Sequence, residues 1–278
     1  MAITNFIPTV WSENLLTALD KKYIGVANCS RDYEGDIKNK GSVVKICGVG
    51  AINVSDYTKD TDMSDPQVLS DVARSMVIDQ AKAFNFQIDD IDRAQCTPKL
   101  MNEAMKVAAS ALANAADSYV FSLYSQATNV IKEDSTTTEN IINHIIDART
   151  KLFANNVSDA SDIVIEVSPA VAAIILKAKI DLSTDNADAL ETGCIGSIGG
   201  CKIFVSNNIA AEDKTGATYY KCFARTKRAI AFASQLSEIN AYRPEKRFAD
   251  AVKGLHLFGA KVVYPGEMVL LDLGVAKA

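Results

Sequence analysis

Residues 221–265, KCFARTKRAIAFASQLSEINAYRPEKRFADAVKGLHLFGAKVVYP, decide the fold. They read as two long extended arms joined by a charged turn, Arg243-Pro244-Glu245-Lys246-Arg247. At ~3.3 Å per residue each arm reaches on the order of 50 Å, far beyond the common strand of about six residues. The first arm opens on a buried run, Ala229, Ile230, Ala231, Phe232 and Ala233. It then alternates, with Leu236, Glu238, Asn240 and Tyr242 on one side and Ser237, Ile239, Ala241 and Arg243 on the other. Neither side is a clean core face. A ribbon that mixes polar and apolar groups on both sides is covered better by a neighbouring subunit than by solvent, so the sequence predicts a chain built to tile.

A chain of 278 residues holds one or two domains with a sizeable core, and 48% apolar with 23% charged residues is an ordinary globular composition. The formal charge of −5 is not the basic footprint of a protein that grips nucleic acid through its phosphates. The first residues, MAITNFIPTVWSENLLTALDKK, carry no basic start followed by an apolar core, and no run approaches the ~18 apolar residues of a membrane span. Cys29, Cys47, Cys96, Cys194, Cys201 and Cys222 are scattered without Cys-x-x-Cys spacing, which predicts reduced thiols. His144 and His256 are the two imidazoles and lie far apart in sequence, so no zinc site is expected.

Upstream of the ribbon the pattern changes several times. Residues 1–38 carry Phe6, Ile7, Val10 and Trp11 ahead of a short stripe of Leu15, Leu16 and Leu19, and read either as an arm seeking a partner or as a short helix capping its own domain. Two extended runs, 42–54 and 76–88, flank the acidic stretch 56–66 and predict a hairpin. Thr97-Pro98 is a helix start for a helix of about thirty residues, with Leu100, Ala104, Ala108, Ala111, Leu112, Ala115, Tyr119 and Leu123 as its stripe. Thr136-Thr-Thr-Glu139 reads as a capping box for a second helix with Ile142, Ile145, Ile146, Arg149, Leu152 and Phe153 on one face, ending at Asn155-Asn156. Ile163-Val-Ile-Glu-Val167 reads as a buried strand, Ser168-Pro169 as the start of a third helix, and 202–205, 261–263 and 268–273 as further strands.

The chemistry-bearing patterns are weak. Gly193-Cys-Ile-Gly196-Ser-Ile-Gly199-Gly200 lacks Gly-x-Gly-x-x-Gly spacing and any following Lys-Ser/Thr, so a turn is expected rather than a phosphate cradle. Asp56, Asp60, Asp62 and Asp65 lack the glycine and glutamate of a calcium loop and read as a solvated tip. Asp89, Asp90 and Asp92 fit a strand-to-helix corner, and no serine nucleophile elbow is present. No catalytic, cofactor-binding or metal residue is assigned, and the expectation is a protein that is not an enzyme. Its rival from another class is a small-molecule enzyme binding nucleotide through 193–200.

The order of Arg228-Ala-Ile-Ala-Phe, Gln235-Leu, Tyr242-Arg243-Pro-Glu, Phe248-Ala-Asp, Gly254 and Phe258-Gly259-Ala-Lys-Val resembles the major capsid proteins of tailed bacteriophages, and the likeness extends upstream to Phe6-Ile-Pro and Trp11-Ser-Glu. It implies an α+β phage major capsid fold. The divisions it implies are an N-terminal arm (1–38), an extended β-hairpin loop (39–92), a peripheral domain of spine helix and long β-ribbon (93–134 and 226–256), and an axial α+β domain (135–225 and 257–278). It further implies self-assembly into hexamers and pentamers of an icosahedral shell around double-stranded DNA, read without sequence recognition, in a virion assembled in the host cytoplasm. Portal and scaffolding proteins are implied partners, the scaffold being a separate protein because the chain runs straight into Phe6 and Trp11. Subunit contacts are expected at Trp11, at Lys59, Asp60 and Asp62 near the hairpin tip, and at Arg243, Glu245, Lys246 and Arg247 in the ribbon turn, whose bland alternative is a solvated turn. Some relatives cross-link neighbouring subunits through lysine and asparagine; Lys59 is a candidate lysine with no partner identified. The same resemblance covers encapsulins, shells that enclose cargo enzymes, and these are the alternative function.

Overall fold

The computed structural model describes residues 23–32, 43–49, 56, 59, 71–89, 100–157, 159–178, 194–246 and 248–277. In chain order its elements begin with β1 (Val43–Val49), β2 (Asp71–Val77), β3 (Gln80–Asp89), α1 (Leu100–Ser122), β4 (Asn129–Glu133), α2 (Ile141–Ala154), β5 (Ile163–Val167) and α3 (Pro169–Lys177). They continue with β6 (Cys194–Ile198), β7 (Cys201–Val205), β8 (Ala211–Lys214), β9 (Ala217–Thr226), β10 (Ile230–Tyr242), β11 (Ala249–Val262) and β12 (Met268–Ala276).

The ribbon is real, and it has a third strand. β10 and β11 pair antiparallel from Ile230↔Val262 to Tyr242↔Ala251, with a bulge between Leu236 and Glu238. β3 adds to the other side of β11, from Phe258↔Gln80 to Ala249↔Asp89. The extended run expected over 76–88 is therefore broken at Ile78-Asp79. Residues before the break pair with β1 in a separate hairpin, from Val43↔Val77 to Val49↔Asp71, and residues after it join the ribbon.

Both ribbon faces are covered near the root within this chain. On one face Phe232, Ile239, Val252 and Phe258 are buried, and Tyr119 of α1 meets Phe258 edge-on at 5.7 Å between ring centres. On the other, Val44, Ile46, Met76 and Ile78 of the hairpin pack on Ala231, Ala233, Leu257 and Val263. The bulge is why strict alternation failed as a guide: past it, Ile239 moves onto the face of Leu236. Only farther out does the ribbon turn polar, where Tyr242 Oη donates to Asn85 Oδ1 at 3.1 Å and the Lys253 ammonium lies over the Tyr242 ring.

The second sheet runs β4-β12-β9-β5-β7-β6, with β8 on β9; β4–β12 and β5–β7 are parallel pairs and the rest antiparallel. α2 and α3 pack against it, and Phe121 of α1 reaches Phe223 of β9 at 5.7 Å. α1 thus lies between the ribbon and this sheet, spanning roughly 34 Å over its 23 residues. Its buried positions are Met105, Ala109, Leu112, Ala113, Ala116, Asp117, Val120 and Phe121; the expected stripe shares Leu112 with them, its Ala104, Ala108, Ala115 and Tyr119 are half-buried, and its Ala111 is exposed. Alanine occurs all round this helix, so its apolar period does not fix a phase. The expected start at Thr97-Pro98 lies outside the described residues.

α2 begins at Ile141, and its first turn is not the expected capping box. Asn140 holds the N-cap position without a side-chain bond to the helix; its Oδ1 accepts from the upstream Thr137 amide at 2.7 Å, while the Thr136 amide goes to the Gly274 carbonyl. The buried face is Ile141, Ile145, Ala148 and Leu152, and Ile146 is exposed. Asn155 and Asn156 end the helix, Asn156 in the left-handed region at φ 64°. For α3 the expectation holds: Ser168 Oγ accepts from the Val171 amide and Pro169 is the first helical residue. The glycine-rich run makes the two-residue turn of the β6–β7 hairpin, with Gly199 at φ 59° and Gly200 at 87°, the mirror-image turn that matches strand twist.

Candidate assembly surfaces

Among the described residues, the most exposed large apolar side chain is Phe248, projected by the ribbon turn at 84% exposure. Arg243 donates from Nε to Asp250 Oδ1 at 3.0 Å; that carboxylate is largely buried while the Arg243 side chain stays 63% exposed, so the pair braces the two arms just below the turn with the arginine still at the surface. Glu245 and Lys246 are exposed in the turn. Lys59 is exposed, while Trp11, Asp60, Asp62 and Arg247 lie outside the described residues. The tip therefore offers charge around a bare aromatic ring. Phe248 was not singled out from the sequence; its signal was an aromatic between charged residues at a turn, and among the described residues nothing covers it.

At the opposite end of the ribbon a polar junction is sealed inside the protein. Glu166 of β5 and Arg225 of β9 are fully buried and paired at two points, Arg225 Nε to Glu166 Oε2 at 2.9 Å and Nη2 to Oε1 at 2.9 Å. Arg225 Nη1 also donates to the Asn28 carbonyl at 2.6 Å and Nη2 to the Gly25 carbonyl at 2.9 Å. Asn28 Nδ2 returns a bond to Glu166 Oε1 at 3.1 Å. Burial alone would weaken the Arg225 cation, but the Glu166 carboxylate outweighs it and holds the guanidinium above its ordinary value. Burial pushes the neighbouring Cys29 thiol up to about 11, so it is a neutral packing group. The expected strand Ile163–Val167 was legible, but the glutamate within it carried a signal that was passed over: a charge in an all-buried strand requires a buried partner.

Beside the junction is a cavity of about 560 Å³ lined by Asn28, Lys202, Phe204, Thr226, Lys227 and Arg228 among others. Thr226 Oγ1 and Arg228 Nε both donate to Glu267 Oε2, at 2.6 and 2.7 Å. Among the described residues no group of three His, Cys, Asp or Glu side chains is placed to hold a metal. His256, on the ribbon, is buried against Phe258, and burial together with the charge of Arg31 lowers its pKa to about 4.

No family model matches the sequence, and no curated protein matches it. Solved structures do. A structure from Mycobacterium phage Che8 is 28% identical and superposes with a TM-score of 0.68 over 88% of this chain and 90% of its own. The capsid of Ralstonia phage GP4 is 12% identical, with a TM-score of 0.67 over 94% of this chain and 91% of its own. A virus-like particle from Pyrococcus furiosus is 14% identical, with a TM-score of 0.57 over 94% of this chain and 96% of its own. The chain has the α+β fold of these phage capsid structures.

Proposed function

We propose that this chain is the major capsid protein of a tailed bacteriophage, assembling into hexamers and pentamers of an icosahedral shell. The observation that carries the reading is the likeness to phage structures along nearly the whole chain, 88% of it at 28% identity for the Che8 structure. A second observation agrees with it: the ribbon ends in an aromatic side chain, Phe248, that no described residue covers. In this reading the β1–β2 hairpin, seated at its base on this chain's own ribbon, reaches over a neighbour, the ribbon turn with Arg243, Glu245, Lys246 and Arg247 meets other capsomers, and the large sheet of β4–β9 and β12 closes each ring. Trp11, Lys59, Asp60 and Asp62 belong to the same contacts. The shell encloses double-stranded DNA without reading its sequence, consistent with a chain of net charge −5. Scaffolding and portal proteins complete assembly in the host cytoplasm. Its role is mechanical: many modest contacts repeated on a closed surface.

Electron microscopy of the protein expressed alone and with a co-expressed scaffold tests this, with closed particles of capsid diameter as the expected result. A chain that remains monomeric under both conditions overturns it. The likeness to the Pyrococcus particle supports an encapsulin-like compartment as the second reading. Particle contents separate the two: nuclease-protected DNA supports the virion, a co-purifying cargo enzyme the compartment.

A further inference from the structure

Residues 24–30 form one short turn that touches α1, the large sheet and the ribbon root. The carboxylate of Asp117 on α1 accepts from the amides of Ile24 and Val26, both at 2.9 Å. The Glu166–Arg225 pair of the large sheet binds the carbonyls of Gly25 and Asn28. At the ribbon root the Ser30 amide donates to the Ile230 carbonyl, and the Phe232 amide donates to the Ser30 carbonyl, each at 2.9 Å. Among the described residues, the other contacts between α1, the sheet and the ribbon are mostly apolar, and apolar contacts resist separation but tolerate sliding. Polar exceptions lie nearer the surface: Asn208 Nδ2 donates to Asn114 Oδ1 of α1 at 3.1 Å, and the Val262 amide donates to Gln126 Oε1, just past α1, at 3.4 Å.

We propose that residues 24–30 are a latch that sets the orientation of α1, the large sheet and the ribbon root relative to one another, and that the buried Glu166–Arg225 pair is its receptor. The allocation of Arg225's donors points this way. Guanidinium has five N–H groups; Nε and one from Nη2 go to Glu166, and the rest go to the segment, to the Gly25 and Asn28 carbonyls and to Cys29 Sγ at 3.6 Å. A pair serving only to join β5 to β9 would not need those groups aimed away from the sheet. A buried ion pair is also a poor source of net stability, since desolvation offsets most of the attraction, and its best-attested use is to fix one arrangement among several. The latch supplies the complementary groups: Asn28 Nδ2 answers Glu166, and Val26, buried at 0% exposure, anchors the turn between its polar ends.

Cys29 sits in the latch and Cys222 on β9, both buried, so they report separately on the segment and on the sheet. The test is timed alkylation of the unassembled full chain, with each cysteine read by peptide mass spectrometry. In Asn28→Ala/Asp117→Asn, Cys29 is expected to react at least about tenfold faster than in the parent, with Cys222 still protected; an unchanged Cys29 overturns the latch. In Glu166→Leu/Arg225→Met, the same pattern is expected, because apolar replacement of a whole buried pair commonly preserves a fold. Cys222 opening together with Cys29 in that variant overturns the receptor assignment, since the pair would then be holding the sheet itself. The consequence for shell geometry rests on the capsid reading: both variants should give particles of mixed diameter. Uniform particles with an exposed Cys29 overturn the orienting role. A parent chain that forms no particles overturns the capsid reading and leaves the alkylation result standing.

Discussion

His256 and Asp117 are both buried almost completely, and burial acts on them in opposite directions. For His256 it disfavours the cation, lowering the pKa from 6.5 to about 4. The unfolded chain therefore binds the proton first, and stability present above pH 6.5 is lost as pH falls toward 4. For Asp117 burial disfavours the anion, outweighs the amides of Ile24 and Val26, and raises the pKa from 3.8 to about 6. Here the folded chain binds the proton first, so stability is gained as pH falls from 6 to 3.8. Each group alone gives a slope of about 1.4 kcal/mol per pH unit. Between pH 4 and 6 the two slopes oppose each other. Urea unfolding of the unassembled chain should show His256→Gln growing more stable than the parent, relative to its own value at pH 7, as pH falls across this window. Asp117→Asn should show the reverse trend. Parallel pH profiles for parent and both variants would refute the opposition.

At the scale of elements, the ribbon depends on two close approaches that only glycine permits, and they differ in how they yield. A Cβ at Gly259 would stand 2.5 Å from the Val77 carbonyl oxygen, where the backbone of the hairpin crosses the ribbon. A Cβ at Gly254 would meet the ring of Phe84, a half-buried side chain stacked on Phe86. Backbone cannot step aside as a ring can, so Gly259→Ala should cost about 1–3 kcal/mol in chemical denaturation and Gly254→Ala clearly less. Removing the ring in Gly254→Ala/Phe84→Ala should not add the two single costs, because the second change relieves the clash created by the first. Equal losses at the two glycines would count against the hairpin crossing. These approaches also mark what the sequence could tell. Length and composition exposed the two ribbon arms, the Ser168-Pro169 helix start and the apolar strand Ile163–Val167, each set by local chemistry. The third ribbon strand, the face of the alanine-rich α1 and the Glu166–Arg225 junction depend on partners 59 to 200 residues away, which no local period encodes.

At the scale of the molecule, the ribbon turn separates what holds the subunit from what joins subunits. Arg243 braces the largely buried Asp250 while remaining mostly exposed itself, and Phe248 is exposed without such a partner among the described residues; charge patterning had drawn attention to the arginine alone. Since Phe248 is 84% exposed, Phe248→Ser should leave the unassembled chain's unfolding within about 0.5 kcal/mol of the parent. On the capsid reading the same ring would be buried once per subunit, and a lost contact of about 1–2 kcal/mol would be repeated over the whole surface, so the concentration needed for assembly should rise by tenfold or more. Reversing Arg243 and Arg247 should impair assembly too while preserving helix content, but Arg243→Glu also places two carboxylates together at Asp250 and so weakens the ribbon itself. Light scattering against concentration, with circular dichroism and denaturation on the same samples, distinguishes the two effects. Phe248→Ser should shift the assembly threshold alone, and Arg243→Glu should shift both the threshold and the unfolding midpoint. Particles forming from Phe248→Ser at the parent's threshold would remove the ribbon tip from the assembly surface and move the subunit contact elsewhere on the chain.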